Sequence, residues 1–578
     1  MTGIGQLPPE ILHLILRLAC AGDWHRAISL QNTCRAFYDL LQHIIYGVQP
    51  LQIDRVFRLL RISPDKAHYV QRLEVSSSVH QASYELNRIT LNEVLPQLQC
   101  LVDLKWGATF FRPEVGRHLC HFRHLRCLEI GLPSNGIPES FAIWQTVIAT
   151  NEIEQFAVYR QSLFVNLDEV SRYIDRREFL LQLLQPLRKS AKHLDLSGDA
   201  PSFSGATFST LSTFTNLRSL CLPTDKPVWH DIESYTHIEL EAFLESMDGE
   251  ALESLSILES TPHLIRPSTL LSLAKRCLRL DTLRVRVDLR SDASMGDALL
   301  RVISGPTRVF SVLELGGTGA HWGDPGQERR EHGAIEGWLD AENHGSFLRT
   351  SDLLQAVLDN RTVFGPKVPL RSLTLPTATG QADAILIAQC LSNLTSFTLL
   401  LERRADLHDT IPALSELEAL GQLRVILTRP FAGDERDLEI ELIYMLFSCL
   451  ELKGSGKSQC LSGWRALRRI ELLTARRGLE HGLVERRFWR VFEITELARR
   501  HEAGQSQLSW RYLVKTTTSK EARYTAVKSR SWAVDIQSQA EDQPLSLSLR
   551  DLAEDNLMIG QSFWSQDKSK YYWADGFL

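Results

Sequence analysis

Between residues 70 and 475 a short pattern, L-x-x-L-x-L with conservative replacements, recurs thirteen times. The copies centre on Leu73, Leu104, Leu128, Phe156, Leu194, Leu220, Leu255, Leu283, Leu313, Leu373, Phe397, Leu423 and Ile470. Representative copies are Leu217-Arg-Ser-Leu220-Cys-Leu222 and Leu370-Arg-Ser-Leu373-Thr-Leu375. Alternation within each copy predicts a short strand with one apolar face. Segments such as Leu270-Leu271-Ser272-Leu273-Ala274 predict a covering helix between copies. Neither piece can bury its apolar face alone, so the units must stack on their neighbours as a solenoid. Leucine is common enough for a few single matches to be accidental, whereas the array constrains the fold as a whole.

Gaps between centres run 31, 24, 28, 38, 26, 35, 28, 30, 60, 24, 26 and 47 residues. Most lie near the spacing of leucine-rich repeats, and the array resembles a degenerate form of that family. The family's asparagine ladder is missing: five residues after the centre stand Ser78, Pro133, Asp199, Asp225, Ser260, Asp288 and Thr318. Most of these could still bond turn N–H groups. The resemblance implies a curved, mostly parallel sheet with a concave recognition face. Positions flanking the centres would line it, including Ser219, Cys221, Thr282, Thr374, Thr398 and Glu471. As candidate target-binding residues we take His193, Asp195, Arg284, Arg286, Glu314 and Arg424. Arg284 and Arg286 are two apart on one strand, so they share a side and suit an acidic or phosphorylated partner; the bland reading is a solvated strand face. Leu400, Ile426 and Leu473 hold comparable positions further on, where an apolar partner or the chain's own tail would fit.

Two gaps exceed one repeat. The first predicts an insertion over about 316–360, Gly-rich at its start, before a helix near Ser351 to Leu358. The second predicts one over about 429–466, in which the apolar run Leu442 to Leu450 is too short to span a bilayer and reads as a buried element. After residue 480 the repeat fades. There Phe488-Trp489 read as part of an Arg-rich helix, Leu508 to Lys515 and Tyr524 to Ile536 as a hairpin, and Pro544 to Asn556 as a last helix. A capping module over 481–578 is expected, since solenoid ends need one.

The first 48 residues are different. Pro8 and Pro9 suit a helix start, and Ile11, Leu12, Leu14, Ile15, Leu16 and Leu18 then leave that helix apolar on nearly every side. Asp23 can cap a second helix carrying Trp24, Ala27 and Ile28, and a third carries Phe37, Leu40, Leu41, Ile44 and Ile45. So short a segment cannot bury that surface internally, and part of it should meet a second protein. Leu7-Pro8-Pro9-Glu10-Ile11-Leu12, Leu30, Thr33-Cys34-Arg35-Ala36-Phe37 and Leu40-Leu41 together resemble an F-box, a family that usually has valine where this chain has Thr33. The resemblance implies docking on a Skp-type adaptor through Leu7, Pro8, Pro9, Ile11, Leu12, Ile15, Leu30, Cys34, Phe37, Leu40 and Leu41, and through it on a cullin-RING ubiquitin ligase. The alternative is a helical cap on the repeats.

Little points to chemistry of the chain's own. A net charge of -6 gives no overall footprint for nucleic acid, so such a function would rest on local patches. Ten cysteines without a C-x-x-C, and no apolar leader at the N-terminus, suggest an intracellular chain with reduced thiols and no membrane segment. Asn360-Arg361-Thr362 and Asn393-Leu394-Thr395 read as chance glycosylation matches. Gly454-Ser455-Gly456-Lys457-Ser458 resembles the end of a phosphate loop, but Glu451 stands where its first glycine belongs. Gly317-x-Gly319 lacks the third glycine of a dinucleotide fingerprint. His118, Cys120, His121, His124 and Cys127 match no zinc spacing, and His332 and His344 read as solvated loop residues.

The expected architecture is therefore α/β: an N-terminal three-helix F-box over 1–48, a leucine-rich-repeat horseshoe solenoid over 49–480 with irregular insertions, and a C-terminal capping module over 481–578. The expected function is non-catalytic, with no cofactor and no metal: a substrate-recognition subunit of a Skp-cullin-F-box ligase. A repeat scaffold working outside ubiquitin ligases is the rival.

Overall fold

The computed structural model describes residues 51–75, 90–107, 113–131, 138–159, 170–197, 204–222, 236–247, 249–257, 265–287, 293–305, 310–317, 350–359, 370–375, 379–401, 405–427, 435–449, 451–453, 460–462, 464, 466–477, 484–501, 508–520, 526–537 and 546–558; before residue 48 it describes 8, 11–12, 14–16, 27, 29–30 and 33–47. The chain divides into two compact units, Met1–Leu252 and Glu253–Leu578.

In the first unit, helix α1 (Arg35–Gly47) precedes seven described strands: β1 (Leu51–Gln52), β2 (Arg72–Val75), β3 (Asp103–Trp106), β4 (Cys127–Gly131), β5 (Gln155–Tyr159), β6 (His193–Asp195) and β7 (Ser219–Cys221). They pair in chain order, all parallel. Connecting helices include α2 (Ile53–Ile62), α3 (Pro113–Leu119), α4 (Pro138–Thr150), α5 (Val170–Leu187) and α6 (Gly205–Leu211), with α7 (His237–Ser246) after the last strand. Repeat centres sit directly opposite one another, Leu73 to Leu104 to Leu128 to Phe156 to Leu194 to Leu220. Helices cover the face those centres point to, as the edge-on contact of Trp106 on β3 with Trp144 on α4 shows, their ring centroids 6.0 Å apart.

The second unit repeats the scheme with β8 (Ser254–Ile257), β9 (Thr282–Val287), β10 (Val312–Gly317), β11 (Ser372–Thr374), β12 (Ser396–Leu401) and β13 (Gln422–Leu427), interleaved with α8 (Pro267–Arg276), α9 (Ala293–Ile303), α10 (Thr350–Asp359), α11 (Gln381–Cys390) and α12 (Asp406–Ala413). Helix α13 (Glu435–Ser448) and a hairpin of β14 (Glu451–Lys453) and β15 (Cys460–Ser462) follow, and β16 (Arg469–Arg477) then joins β13 in parallel. Leu255, Leu283, Leu313, Leu373, Phe397, Leu423 and Ile470 again stand in direct register. All thirteen centres are at most 2% exposed, so none of the matches was accidental. A slip of one residue would turn every one of them to the opposite face, which is why the pattern fixes the register so firmly.

A backbone device invisible in the sequence recurs at the start of the strands. One carbonyl accepts from two successive N–H groups of the next strand: Gln71 O from Val102 and Asp103, Val102 O from Arg126 and Cys127, Gly421 O from Arg468 and Arg469. The residues expected to replace the asparagine ladder all lie outside the described residues.

The long gaps resolve as helices outside the ladder. β10 pairs directly with β11 across the first, with α10 where a helix was expected, and residues 318–349 lie outside the described residues. In the second, α13 holds the apolar run, with Leu442, Ile443, Met445, Leu446 and Phe447 buried. Leu51 opposite Leu73 adds a strand not expected from the sequence. Two expectations need correction. The Arg-rich segment at Phe488-Trp489 belongs to a strand, β17 (Val484–His501), and the last described element is also a strand, β20 (Ser546–Met558). Between them β18 (Leu508–Lys520) and β19 (Ala526–Gln537) form the expected hairpin, so β16 to β20 are an antiparallel extension of the ladder. Period two explains both errors: Phe492 and Ile494 are buried two apart, and Leu547 and Leu549 sit opposite Ile536 and Val534. The core continues onto this extension under α13, where Phe447 meets Tyr512 at 5.2 Å.

Candidate functional site

Two surfaces gather the expected site residues. The first is the N-terminal helical segment. Leu12 N donates to Pro8 O at 3.0 Å, opening a helical turn at the proline. Leu12, Leu16, Ala27, Leu41 and Ile45 form a buried cluster, with Leu30, Phe37, Leu40 and Tyr46 packed against it. On the same first turns Ile11, Leu14 and Ile15 remain 46%, 53% and 43% exposed. Of the residues expected to meet an adaptor, Leu12 and Leu41 are thus spent inside the module, and Leu30, Phe37 and Leu40 partly so. Pro8, Ile11, Ile15 and Cys34 are on its surface. Leu7 and Pro9 lie outside the described residues, as do Asp23, Trp24 and Ile28. The Thr33 hydroxyl donates to Leu30 O at 2.7 Å, beside the Thr33 N–H at 3.1 Å, a second bond to a helix end that valine could not make.

A cation ties this segment to the first repeat. Lys66 Nζ donates to Tyr38 OH at 3.2 Å and lies 5.5 and 5.3 Å from the ring centres of Tyr38 and Tyr46 on α1. Gly47, at the end of α1, has Tyr69 O and the Gln71 side chain within 3.5 Å of where a Cβ would stand, so this contact is close.

The second surface is the sheet face opposite the repeat centres. In the first unit it carries neighbouring charges of opposite sign, Lys105 with Glu129 at 3.0 Å and Arg72 with Asp103 at 3.9 Å. Burial pushes the Asp103 carboxyl above its ordinary value, an effect the nearby Arg72 and Lys105 only partly offset. Asp195 is engaged locally, accepting from Ser197 N at 3.1 Å and Ser197 Oγ at 2.6 Å, and His193 precedes it on β6, half-buried.

In the second unit the register lines up Ser256, Arg284, Glu314, Thr374, Thr398, Arg424 and Glu471 on successive strands. Two ion pairs flank the threonines. Arg284 Nε is 2.9 Å from Glu314 Oε2, and Ser372 Oγ donates to Glu314 Oε1 at 2.6 Å. Burial nonetheless pushes the Glu314 carboxyl above the ordinary carboxylate range, because desolvation outweighs the help from Arg284, Ser372 and Arg424. Glu471, 1% exposed, accepts from Arg424 Nε at 2.8 Å, Arg469 Nε at 2.7 Å and Gln422 Nε2 at 3.1 Å. The charges of Arg284 and Arg424 are therefore already matched within the fold, and the Arg286 side chain lies outside the described residues. Ile426 is buried beyond this row and Leu400 half-buried, while the Leu473 side chain is outside the described residues. Ser372, Gln422 and Arg469 stand one residue before their centres, the position His193, Ser219 and Thr282 hold in theirs, and were not among the residues named from the sequence.

Among the described residues no group of three or more His, Cys, Asp or Glu side chains could hold a metal ion. His118 lies in the last turn of α3, and Cys127 begins β4. His332, His344 and the whole of residues 454–458 fall outside the described residues. No described helix is long and apolar enough to cross a membrane.

No family model and no curated protein matches this sequence. Among solved structures, the chain is similar to one of the yeast Rad7 and Elc1 complex at 15% identity and a TM-score of 0.40, over 72% of this chain and 88% of that one. It is also similar to one of a TLR13–ssRNA13 complex at 11% identity and a TM-score of 0.25, over 63% of this chain and 37% of that one.

Proposed function

We propose that the chain is a substrate receptor of a Skp-cullin-F-box ubiquitin ligase, docking on the adaptor through its N-terminal helices and holding a target protein on its repeats. The observation that carries this reading is the double-sided first helix. Leu12 and Leu16 are seated on Ala27, Leu41 and Ile45, while Ile11, Leu14 and Ile15 stay in water on a segment whose motif resembles an F-box. Fully burying one such side chain is worth about 1.5 to 3 kcal/mol, so leaving three exposed together favours a partner that covers them.

The chain brings binding rather than bond-making. One end fixes the ligase and the other holds the target, and transfer then gains from proximity. Eight of the described cysteines are free thiols, which accords with a reducing compartment. The test is affinity purification of the wild-type chain beside Ile11→Asp with Ile15→Asp. Adaptor and cullin should disappear from the variant while proteins held by the repeats stay. Loss of both sets together, or of neither, would contradict the assignment of the two jobs.

A further inference from the structure

Four successive turns of the first unit, each leading from a helix into a strand, stand side by side along one rim of the sheet. They run from α3 to β4, α4 to β5, α5 to β6 and α6 to β7. Backbone bonds thread them into a row: Glu154 N donates to Arg126 O at 2.8 Å, Lys192 N to Glu154 O at 2.8 Å and Arg218 N to Lys192 O at 2.7 Å. The row is basic. Its turns carry Arg123, Arg126, Arg188, Lys189, Lys192 and Arg218 against Glu152 and Glu154, in a chain of net charge -6. Lys192 is half-buried and the other five cations are exposed.

Where an acid is at hand, the row seats it between neighbouring turns. Glu154 accepts from Lys192 Nζ at 2.8 Å and pairs with Arg126, and these bonds hold its carboxyl below the ordinary value. Arg188 serves the fold, its Nε donating to Gln185 O at 3.0 Å at the end of α5. Arg123 and Lys189 differ from these: among the described residues neither side chain makes an ion pair or a hydrogen bond. They hold equivalent places, five residues before the centres Leu128 and Leu194, on repeats two apart in the sheet. Strand spacing sets such repeats about 10 Å apart. The free cations therefore lie on this rim, whereas Arg284 and Arg424 of the second unit are already paired.

A carboxylate is the anion that suits the row, as Glu154 shows. Nucleic acid suits it less. Phosphate charge runs without a break along a strand, and Glu152, exposed in the second turn, would repel it. Phe122 and Phe214, the aromatic rings of these turns, are buried and offer no platform for a base. A peptide can place a neutral residue opposite Glu152.

We propose that this rim binds an acidic segment of a partner protein, extended across the turns with carboxylates about three residues apart, so that successive acids meet Arg123 and Lys189. It rests on the proposed function only in calling that partner a target. Its test needs no adaptor, so either reading can fail alone.

The experiment uses the purified full chain and a fluorescent peptide of about 12 residues built of Glu-Ser-Gly repeats, with anisotropy read across a salt series. Arg123→Ser with Lys189→Ser should bind it about fivefold more weakly or worse at low salt, at an unchanged melting temperature, because neither side chain has a partner to lose. If that variant melts lower, Lys189→Ser alone serves, with a loss of about twofold. Lys275→Ser with Arg276→Ser, exposed at the end of α8, should leave binding unchanged. No binding by the wild type at low salt, full binding by the rim variants, or equal loss in the α8 variant overturns the proposal. So does displacement of the peptide by duplex DNA of equal charge as readily as by unlabelled peptide, which would point to nucleic acid instead.

Discussion

Glu471 shows how much of the polar face is framework. It is the common acceptor of Arg424, Arg469 and Gln422, three donors from two strands. Removing a buried carboxylate strands the cations it neutralises, so Glu471→Ala should destabilise the protein by about 3 kcal/mol or more, measured by urea unfolding. An effect within about 0.5 kcal/mol would mean that solvent already serves these arginines. Glu314 behaves differently because burial raises its pKa. A carboxyl that holds its proton more tightly folded than unfolded adds stability below the ordinary carboxylate range, and that stability is lost as pH rises through the raised value. Melting temperatures of wild type and Glu314→Gln should therefore diverge as pH rises above the ordinary carboxylate range, with the wild type falling behind. A constant difference would show that Arg284 fully compensates the ionised form. The sequence placed Arg284, Glu314, Arg424 and Glu471 on one face, since position relative to the repeat centre is enough for that. Their pairing was not legible: Arg424 and Glu471 are 47 residues apart, and the intervening α13 and hairpin hide that they lie on adjacent strands.

At the scale of elements, legibility followed periodicity. Repeat strands were readable because each centre and its neighbours alternate, and α10 because a helical run stood inside the first gap; at α13 the apolar run marked a buried element without fixing its type. β17 and β20 were not, because arginine and glutamate favour helices in isolation while pairing along the edge of β16, and then of β19, decides their state. The short β1 was hidden by its two-residue length. Helix ends needed partners from further away: Asn151, after α4, accepts from Leu125 N at 3.0 Å and donates to Phe122 O at 3.0 Å and Val147 O at 2.8 Å. The repeat logic predicts a sharp contrast within one unit. Leu283→Ala, at a fully buried centre, should cost about 2 to 5 kcal/mol, whereas Leu271→Ala on α8, 39% exposed, should stay within about 0.5 kcal/mol. Equal losses by chemical unfolding would mean that the ladder is not what organises the core.

For the molecule as a whole, the reading assigns separate work to separate surfaces. In the proposed function the N-terminal helices would meet a ligase adaptor and the repeats a target, while the antiparallel extension continues the parallel ladder from β16. The first assignment rests on Ile11, Leu14 and Ile15 being exposed on a helix that already has a seated face. These side chains do no work in the isolated fold, so replacing them should spare stability. The most direct test is titration of the purified full chain with a purified Skp-type adaptor, by calorimetry, beside Ile11→Asp with Ile15→Asp. The account predicts one adaptor per wild-type chain, with a negative heat-capacity change from apolar burial, and no binding by a variant whose melting temperature is unchanged. A wild-type chain that takes up no adaptor would contradict it.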